Sequence, residues 1–407
     1  MQAVIQISKP RPRPATRQSG QAIVLGVAFL LVLMAIAALG ADFGVARFQR
    51  SKLQIIADGA ALSGTAELPY GDVTAGAQND ASLNGFVSGS NGATLTVNNP
   101  PLSGPHTGDS AYVEVIASQS QSTSFLNFFG FSTLNLTARA VGYLGSGPAC
   151  LYALDPSASG AITLNGTFDV QLQCGMLADS DSSSGLLING SGSLTASSIG
   201  VAGGALVNGT VSVNPTPVDG IIPEGDPLAY LDPPSTAGSC SPTTVINGPG
   251  NFVLSQGVYC STVIINGSPN VTFSPGTYIF KSGIIMNGTP TLTGTGVTFY
   301  NASGSFTLNG SSTTNLSAPT TGPFAGILVF QSRTDSSQLT VNGSNTAIIN
   351  GAIYASDATI VDNGSGTASA YTILVSNKIT VNGSATLNDN YTTLPGGSPI
   401  HAAVLVE

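Results

Sequence analysis

Four cysteines are the residues whose types and spacing point most directly to chemistry in this chain of 407 residues. They are Cys150, Cys174, Cys240 and Cys260, and neither of the two histidines lies near them in the sequence. The pattern does not match the spacing of a Cys/His zinc site. Four cysteines permit three complete disulfide pairings, and the count alone leaves all three open.

Carboxylates are the other candidates for chemistry in the second half of the chain. Hydrolysis of a glycosidic bond usually needs two carboxylates about 5 to 9.5 Å apart. The acidic residues here are mostly isolated, although Asp179 and Asp181 lie close together in ADSDSSSG. That pair could bind calcium, but we interpret it as a solvated turn. The candidates are Asp169, Asp179, Asp181, Asp335, Asp357, Asp362 and Asp389.

The sequence pattern assembles no complete active site from these residues. His106 and His401 have no partner in the pattern, and Arg333 is the only arginine after residue 147. Neither a Ser-His-Asp arrangement nor a phosphate-binding loop can be recognised. We therefore predict that the protein is not an enzyme and that it binds no catalytic metal and no cofactor.

A repeated phrase indicates which elements position these residues. Residues 263–268 read VIINGS, and a single Asn-Gly pair of this kind would predict a hairpin. Here most copies are about twenty residues apart, and two steps of 39 and 40 residues are close to two periods. Repeats of this length built from strand formers predict a mainly β fold with a right-handed parallel β-helix over residues 148–407. The repeated asparagines are Asn165, Asn189, Asn208, Asn247, Asn266, Asn287, Asn309, Asn342 and Asn382.

Within each turn of the solenoid, we expect the phrase to form a corner. The apolar residues enter the core, the asparagine takes a left-handed conformation and the glycine lets the backbone turn. Asparagines stacked in register can then form hydrogen bonds along the solenoid as a ladder.

The repeat also selects one disulfide pairing. Cys150 and Cys174 each lie 15 residues before a repeated asparagine, and Cys240 and Cys260 lie 7 and 6 residues before theirs. Equivalent places in adjacent turns are about 4.8 Å apart, which suits the Cα separation of a disulfide. We therefore predict bonds from Cys150 to Cys174 and from Cys240 to Cys260.

Composition and charge restrict the class of protein. Only 8% of the residues are charged, tryptophan is absent and glycine occurs 50 times, which suits an extracytoplasmic β-solenoid. Residues 148–407 contain 13 acidic residues but only three basic ones. Because such a domain repels phosphate groups, we predict that it does not bind nucleic acid.

The amino terminus carries an apolar segment long enough to span a membrane. Residues 22–41 (AIVLGVAFLLVLMAIAALGA) have no charged side chain, and as a helix they would extend for about 30 Å. Basic residues in the preceding tail, 1–21, place that tail in the cytoplasm and the bulk of the chain in the periplasm or at the cell surface. The alternative is a cleaved signal peptide, although the apolar run exceeds the usual length of about 7 to 15 residues.

An amphipathic stalk helix is expected to follow the span over residues 42–68, where apolar and basic residues alternate near helical spacing. Within residues 17–68, the GQA opening, the apolar run, the ADFG after it and the LQIIADGAAL segment resemble the TadG-like amino-terminal domain of Tad/Flp pilus-assembly proteins. The resemblance continues more loosely to about residue 145. It implies a single-pass protein of the bacterial inner membrane that works with Tad/Flp pilus-assembly components.

Two features bear on what this resemblance implies. Pilins of that system have a glycine followed five residues later by a glutamate that guides cleavage, whereas Leu25 occupies that place after Gly20. Many TadG-like chains also end in a von Willebrand A domain, whose metal site begins with Asp-x-Ser-x-Ser. The same spacing occurs at Asp155, Ser157 and Ser159, but strand formers follow where that site requires a helix. We predict a turn that binds no metal.

Two further regions complete the predicted domains. Residues 69–147 combine a short helical pattern, three strand patterns and the aromatic segment TSFLNFFG, which predicts a small α+β module of pilin-like type. Residues 214–239 contain six prolines and four acidic residues, so this segment should leave the stack as a loop. A loop of this kind is by default a simple excursion, and partner recognition is the alternative.

The sequence as a whole predicts a membrane-anchored extracytoplasmic structural protein of Tad/Flp pilus assembly or of the cell envelope. The alternative is a β-helix surface adhesin whose Ser, Thr and Asn side chains bind glycans. A carbohydrate-active β-helix enzyme is the third hypothesis. The sequence leaves open the specific ligand, the oligomeric state and whether the protein enters a pilus.

Overall fold

The fold follows the division between a helical amino-terminal part and a strand-rich remainder. The computed structural model describes residues 19–407 except 91, 310–313, 343–347, 364–371, 388–389, 391–393 and 395–396. One compact unit contains the described residues up to Tyr143 together with Ala403–Glu407, and the other contains Leu144–Ala402. Strands account for 46% of the residues and helices for 16%, which confirms the mainly β fold class.

The first unit begins with one continuous helix, α1 (Ser19–Ala66), whose sequence contains no proline. The large apolar side chains of Ile23–Leu39 are exposed, as a bilayer span requires. In the second half, Leu53, Ala57 and Ala61 are buried at helical spacing against the rest of the unit. The predicted span and the predicted amphipathic stalk are therefore two parts of one element.

Helix α2 (Val73–Leu83) packs along α1 through small residues. Its Ala77 and Ala81 are buried, and a Cβ atom at Gly64 of α1 would lie 3.1 Å from the backbone oxygen of Val73. Small side chains on both helices thus allow their backbones to approach closely.

Three antiparallel strands complete the core of the first unit, namely β1 (Thr94–Asn98), β2 (Tyr112–Ser122) and β3 (Thr133–Ser146). Alternate residues of β2, including Val113 and Val115, are buried against the helices. A 3₁₀ turn occupies the connection between β2 and β3 at Leu126–Phe129. The helices and the sheet together form an α+β arrangement.

The second unit is a β-solenoid of about ten turns built from short parallel strands. Glycine and proline interrupt the chain every few residues, which keeps the strands short and lets each turn bend. The strands are β4 (Ala149–Ala153), β5 (Ile162–Leu172), β6 (Gly175–Ala178), β7 (Leu186–Thr195), β8 (Ile199–Val201), β9 (Ala205–Asn214), β10 (Val218–Asp219), β11 (Val245–Asn247), β12 (Asn251–Leu254), β13 (Gly257–Tyr259), β14 (Val263–Gly267), β15 (Asn270–Phe273), β16 (Gly276–Phe280), β17 (Ile284–Gly288), β18 (Thr291–Thr295), β19 (Val297–Asn301), β20 (Phe306–Asn309), β21 (Thr314–Ser317), β22 (Ile327–Gln331), β23 (Leu339–Asn342), β24 (Ile348–Asp362), β25 (Thr372–Asn382) and β26 (Ala385–Leu387).

Repeated asparagines lie opposite one another in these strands. Asn247 of β11 pairs with Asn266 of β14, which pairs with Asn287 of β17. Ile265, one residue before Asn266, is fully buried, so the apolar part of the phrase forms the core and the predicted β-helix is confirmed. Gly267 takes a φ of 84° while Asn266 stays within the paired strand. The bend lies at the glycine rather than at the asparagine, where we expected the left-handed conformation.

The order of the turns in the stack differs from their order in the chain. Strand β25, near the carboxyl end of the solenoid, pairs with β4 and β5 at its beginning. Ile379 lies opposite Ile162, and Asn382 lies opposite Asn165. The chain therefore enters the solenoid in the interior of the stack and builds three turns toward one end. It then crosses to the other end and fills the remaining turns back to its starting point.

This stacking order changes the interpretation of the two long steps in the repeat. The step from Asn342 to Asn382 spans two turns, because Asn363 occupies the turn between them and forms a 2.8 Å side-chain hydrogen bond with each. The step from Asn208 to Asn247 does not span two turns, so that part of the repeat interpretation is wrong. The residues between these two asparagines connect opposite ends of the stack.

The cysteine pairs lie in adjacent turns. The Cα atoms are 5.6 Å apart for Cys150 and Cys174 and 5.4 Å apart for Cys240 and Cys260. Both distances fall within the range of about 4.4 to 6.8 Å that a disulfide tolerates. These are the two pairs that the repeat spacing predicts.

The last strand, β27 (His401–Leu405), extends the sheet of the first unit next to β3. The backbone N–H of Val406 donates to the carbonyl of Val141 at 2.9 Å, and the N–H of Val141 donates to Glu407 at 3.0 Å. The repeat predicts a solenoid over all of residues 148–407, whereas Ala403–Glu407 belong to the first unit. The sequence of a short apolar strand does not indicate which sheet it will pair with.

Candidate functional sites on the solenoid and the first unit

The Asp-x-Ser-x-Ser motif forms a turn between β4 and β5. A carboxylate oxygen of Asp155 accepts hydrogen bonds from the backbone N–H groups of Ser157 (3.0 Å) and Ala158 (2.8 Å). The hydroxyl of Ser159 lies 2.9 Å from the hydroxyl of Ser184 in the adjacent turn. Since β5 follows the motif and the carboxylate stabilises the turn, these residues are used structurally.

The sequence predicts that the Pro-rich region leaves the stack as a loop. In the structure this region instead packs against the solenoid. It forms a return segment, defined here as residues 220–244, that connects the two ends of the stack. Directly before it β10 pairs with β8, and near its end Cys240 pairs with Val258. Leu228 and Leu231 within it are 0% and 7% exposed, because both side chains pack on the solenoid core.

Asp179 is a buried carboxylate that binds the return segment. Its two oxygens accept hydrogen bonds from the backbone N–H groups of Glu224 and Gly225, each at 3.0 Å. Burial raises the pKa of Asp179, and the two backbone donors oppose that increase. The interpretation of Asp179 and Asp181 as a solvated turn is therefore wrong for Asp179, while Asp181 is exposed.

Arg333 binds the same segment from another turn of the solenoid. Its guanidinium donates hydrogen bonds to the carbonyl groups of Leu228 (2.8 Å) and Leu231 (2.9 Å) and to the hydroxyl of Tyr354 (2.5 Å). The Tyr354 hydroxyl in turn donates to a carboxylate oxygen of Asp226 at 2.6 Å. The solenoid's single arginine thus stabilises the return segment.

The remaining carboxylate candidates are dispersed over the solenoid. Asp169 and Asp335 accept hydrogen bonds from neighbouring side chains, and Asp357 and Asp362 belong to β24. Asp389 lies outside the described residues. Among the residues that the structure describes, no group of three or more His, Cys, Asp or Glu could hold a metal ion.

The two histidines make aromatic contacts. The ring of His106 stacks on Tyr112 with centroids 4.0 Å apart, and His401 lies 5.9 Å from Tyr230. Burial lowers the pKa of His401.

The solenoid surface carries ladders of polar side chains. The amide of Asn266 donates to Asn247 at 2.7 Å and that of Asn287 donates to Asn266 at 3.1 Å, while the hydroxyls of Thr272 and Thr293 are 3.1 Å apart. Such a surface presents donors and acceptors to solvent about every 4.8 Å. The large apolar residues exposed on the described solenoid are aliphatic, because its described aromatic rings are buried or partly buried. The surface can form hydrogen bonds with a polar ligand, but its described residues include no exposed ring for stacking on a sugar.

A buried charged cluster lies in the first unit. Glu114 has 0% exposure, and burial by itself would raise the pKa of this carboxyl. Its hydrogen-bond donors outweigh that effect and lower the pKa to about 2. The donors are the Ser103 hydroxyl, Arg139 Nε (2.7 Å), Asn98 Nδ2 (2.8 Å) and the backbone N–H of Leu102 (3.2 Å).

Asp42 is a second buried carboxylate of this unit, at the end of the apolar run of α1. It is 7% exposed and accepts hydrogen bonds from three consecutive backbone N–H groups, those of Ser124 (3.0 Å), Phe125 (2.8 Å) and Leu126 (2.7 Å). The aspartate of the ADFG motif therefore attaches the connection between β2 and β3 to the helix. Sequence reasoning missed this role, although a lone acid directly after an apolar run was a visible signal.

Comparison with known proteins identifies one part of the chain. Residues 20–77 match a family model described as putative Flp pilus-assembly TadE/G-like. The matched segment covers nearly all of α1, including Asp42, and the first residues of α2. No curated protein and no solved structure matches the chain. The family match confirms the resemblance seen in residues 17–68.

Proposed function

We propose that this protein is a membrane-anchored extracytoplasmic structural protein of Tad/Flp pilus assembly. The observation that carries the proposal is the match of residues 20–77 to the TadE/G-like family. That match falls on a helix whose first half is apolar, exposed and long enough to cross a membrane.

The orientation that we propose places residues 1–21 in the cytoplasm and the chain after residue 41 in the periplasm. Lys9, Arg11, Arg13 and Arg17 precede the span, and positive charge is retained on the cytoplasmic side. Two cysteine pairs at disulfide distance fit an oxidising compartment.

The solenoid acts in this proposal as a rigid extension beyond the membrane. About ten turns stacked about 4.8 Å apart extend for roughly 48 Å. A glycan-binding adhesin is the second candidate, favoured by the exposed polar ladders. A carbohydrate-active enzyme ranks third, because the carboxylates and the arginine that it would use are dispersed or stabilise the return segment.

Cross-linking in living cells tests the assignment to pilus assembly. A photo-reactive residue is introduced at Ile55 on α1 (63% exposed) or, in a matched variant, at Val253 on the solenoid (71% exposed). Mass spectrometry of the adducts should identify Tad/Flp assembly components with the Ile55 variant. The proposal fails if both variants are expressed in the membrane and neither captures a pilus component.

Topology and glycan binding are tested separately. An alkaline phosphatase fused after Glu407 should be active if the bulk of the chain lies outside the cytoplasm. A glycan array probed with the full-length protein in detergent distinguishes the adhesin hypothesis. Specific glycan binding without pilus adducts would replace the first proposal by the second.

A further inference from the structure

The connection between β2 and β3 exposes a cluster of aromatic rings. We define this aromatic loop as residues 123–131. Phe128 is 87% exposed, Phe129 67%, Phe131 60% and Phe125 43%. Exposed apolar clusters of this kind usually mark a surface that is covered by a membrane or a partner.

The position of the aromatic loop along α1 is set by Asp42. The three backbone hydrogen bonds to this carboxylate hold the loop at the level where the apolar run of residues 22–41 ends. Farther along the helix, Gln54 donates a hydrogen bond to the carbonyl of Arg139 at 3.0 Å. The strands β2 and β3 therefore run beside α1, with their connecting loop at the end nearest to the span.

The opposite end of the same sheet provides a reference point. Asn98 at the end of β1 pairs with Glu114, and Leu102 follows in the next connection. Ser122 lies eight positions after Glu114 in β2, which corresponds to about 27 Å along the strand. The unit thus has one end beside the apolar span and one end far from it.

Basic side chains occur next to the aromatic loop. Arg47 and Arg50 are exposed and line a groove of about 670 Å³ with Phe43 and the first residues of β3. At about 1.5 Å per residue, Arg47 lies about 7 Å beyond Asp42 along the helix. That is the depth of the lipid headgroups when the hydrocarbon core ends at the apolar run.

We propose that the aromatic loop lies in the extracytoplasmic lipid interface, with its phenylalanine rings at the boundary between headgroups and acyl chains. Arg47 and Arg50 then face the phosphate groups of anionic lipids. Aromatic and aliphatic side chains beside basic ones are the composition of interfacial membrane contacts. A lipid surface is chosen over a protein partner because the loop is held directly beside the membrane span. The proposal rests on the membrane span of the proposed function.

Tryptophan fluorescence tests this contact, since the chain contains no tryptophan. The full-length Phe128→Trp protein is reconstituted into vesicles of phosphatidylethanolamine and phosphatidylglycerol, with and without bromine on the acyl chains. The matched controls are Leu102→Trp, at a site 72% exposed at the far end of the sheet, and Val32→Trp within the span. Bromolipid should quench Phe128→Trp several-fold more than Leu102→Trp.

Each other outcome has a definite meaning. If Val32→Trp is quenched while Phe128→Trp emits from water and is not quenched, the span stands and the interfacial contact is wrong. If Phe128→Trp is shielded from water but still not quenched, a protein surface covers the loop and the proposal is also wrong. Failure of Val32→Trp to be quenched would instead refute the membrane span.

A second variant tests the role of Asp42. The substitution Asp42→Ala in the Phe128→Trp protein removes the acceptor of all three loop hydrogen bonds. Quenching of the tryptophan should decrease, because the loop is no longer held at the interface. Unchanged quenching in a protein that retains its circular dichroism spectrum would overturn the positioning by Asp42.

Discussion

The two compact units are stabilised in different ways. In the solenoid, equivalent residues of successive turns make the same contact again, as in the asparagine ladder and the alternating apolar core. In the first unit the key polar contacts occur once, at Glu114 and at Asp42. A repeated contact spreads stability over many positions, whereas a single contact concentrates it in one residue.

One junction in the solenoid joins turns that are far apart in the sequence. Most ladder steps join residues about twenty positions apart, but the hydrogen bond from Asn165 to Asn382 joins residues 217 positions apart. The turns on the two sides of this junction can pair only after the whole solenoid has been assembled. We therefore expect the junction to depend on long-range folding, unlike the other turns.

The largest effect is expected for a charge placed in the core at the junction. Leu164 has 0% exposure, and its equivalent in the outermost turn, Val207, is 42% exposed. Leu164→Asp should reduce the free energy of unfolding by about 4 kcal/mol or more, and Val207→Asp by about 1 kcal/mol or less. Urea unfolding of the full chain in detergent measures both. Equal effects would contradict the burial of Leu164 in the solenoid core.

The next largest effect is expected from the cysteine pairs. Each disulfide closes a loop of 20 or 24 residues. By the chain-entropy argument, each should contribute about 3 kcal/mol to the free energy of unfolding. Replacing Cys150 and Cys174 by serine should weaken the junction, whereas replacing Cys240 and Cys260 should loosen only the turn at the end of the stack opposite Val207. Hydrogen exchange separates the two cases, and non-reducing peptide mapping checks the pairing itself. A peptide joining Cys150 to Cys240 or Cys260 would contradict the stacking order.

A pH effect on stability is expected in the first unit, at Glu114. Hydrogen bonds hold the pKa of Glu114 at about 2, below the ordinary glutamate value, so its ionised form stabilises the fold. This stability is fully present above about pH 5 and is lost as the pH falls toward 2, by at most about 3 kcal/mol. Hydrogen exchange of β2, corrected for intrinsic pH dependence, should show the loss. Glu114→Gln should remove it, and a persistent pH response would assign it to another group.

The smallest effect is expected within the asparagine ladder. Asn266 forms solvent-exposed ladder hydrogen bonds with Asn247 and Asn287, and the residue is half-buried. Asn266→Ala should therefore lower the free energy of unfolding by about 1 kcal/mol, because an exposed hydrogen bond contributes little net stability. Asn208→Ala, at the end of the ladder, is the matched control and should cost less. Thermal unfolding monitored by circular dichroism compares the two, and a larger loss for Asn208→Ala would mean that the ladder is not additive.

The turns of the solenoid were predictable because they depend on local spacing. The period of about twenty residues and the Asn-Gly phrase indicate strands and bends, and they selected the cysteine pairs found in the structure. The apolar half of α1 was predictable because twenty consecutive residues without charge favour a continuous apolar helix. The motif residues near Asp42 also indicated the resemblance to a TadE/G-like domain that the match over residues 20–77 confirms.

The candidate sites were predictable only in part. The sequence indicated that Asp155 begins a turn, because Asp-Pro-Ser favours one locally. It did not indicate that Asp179 and Arg333 bind the return segment, because their partners lie about 45 and 105 residues away. Nor did it show that the phenylalanine rings of the aromatic loop remain exposed, because burial depends on what the rest of the fold covers.

What the sequence alone determined about this protein is the content of each turn, the apolar helix and the family resemblance, since all three depend on local patterns. Tertiary structure alone decided the order of the turns, the path of the return segment and the attachment of the aromatic loop to Asp42. The physical reason is that every turn presents nearly the same edge to its neighbours. Edges this similar allow several stacking orders. One order is selected only by the complete set of contacts, which includes the hydrogen bond from Asn165 to Asn382.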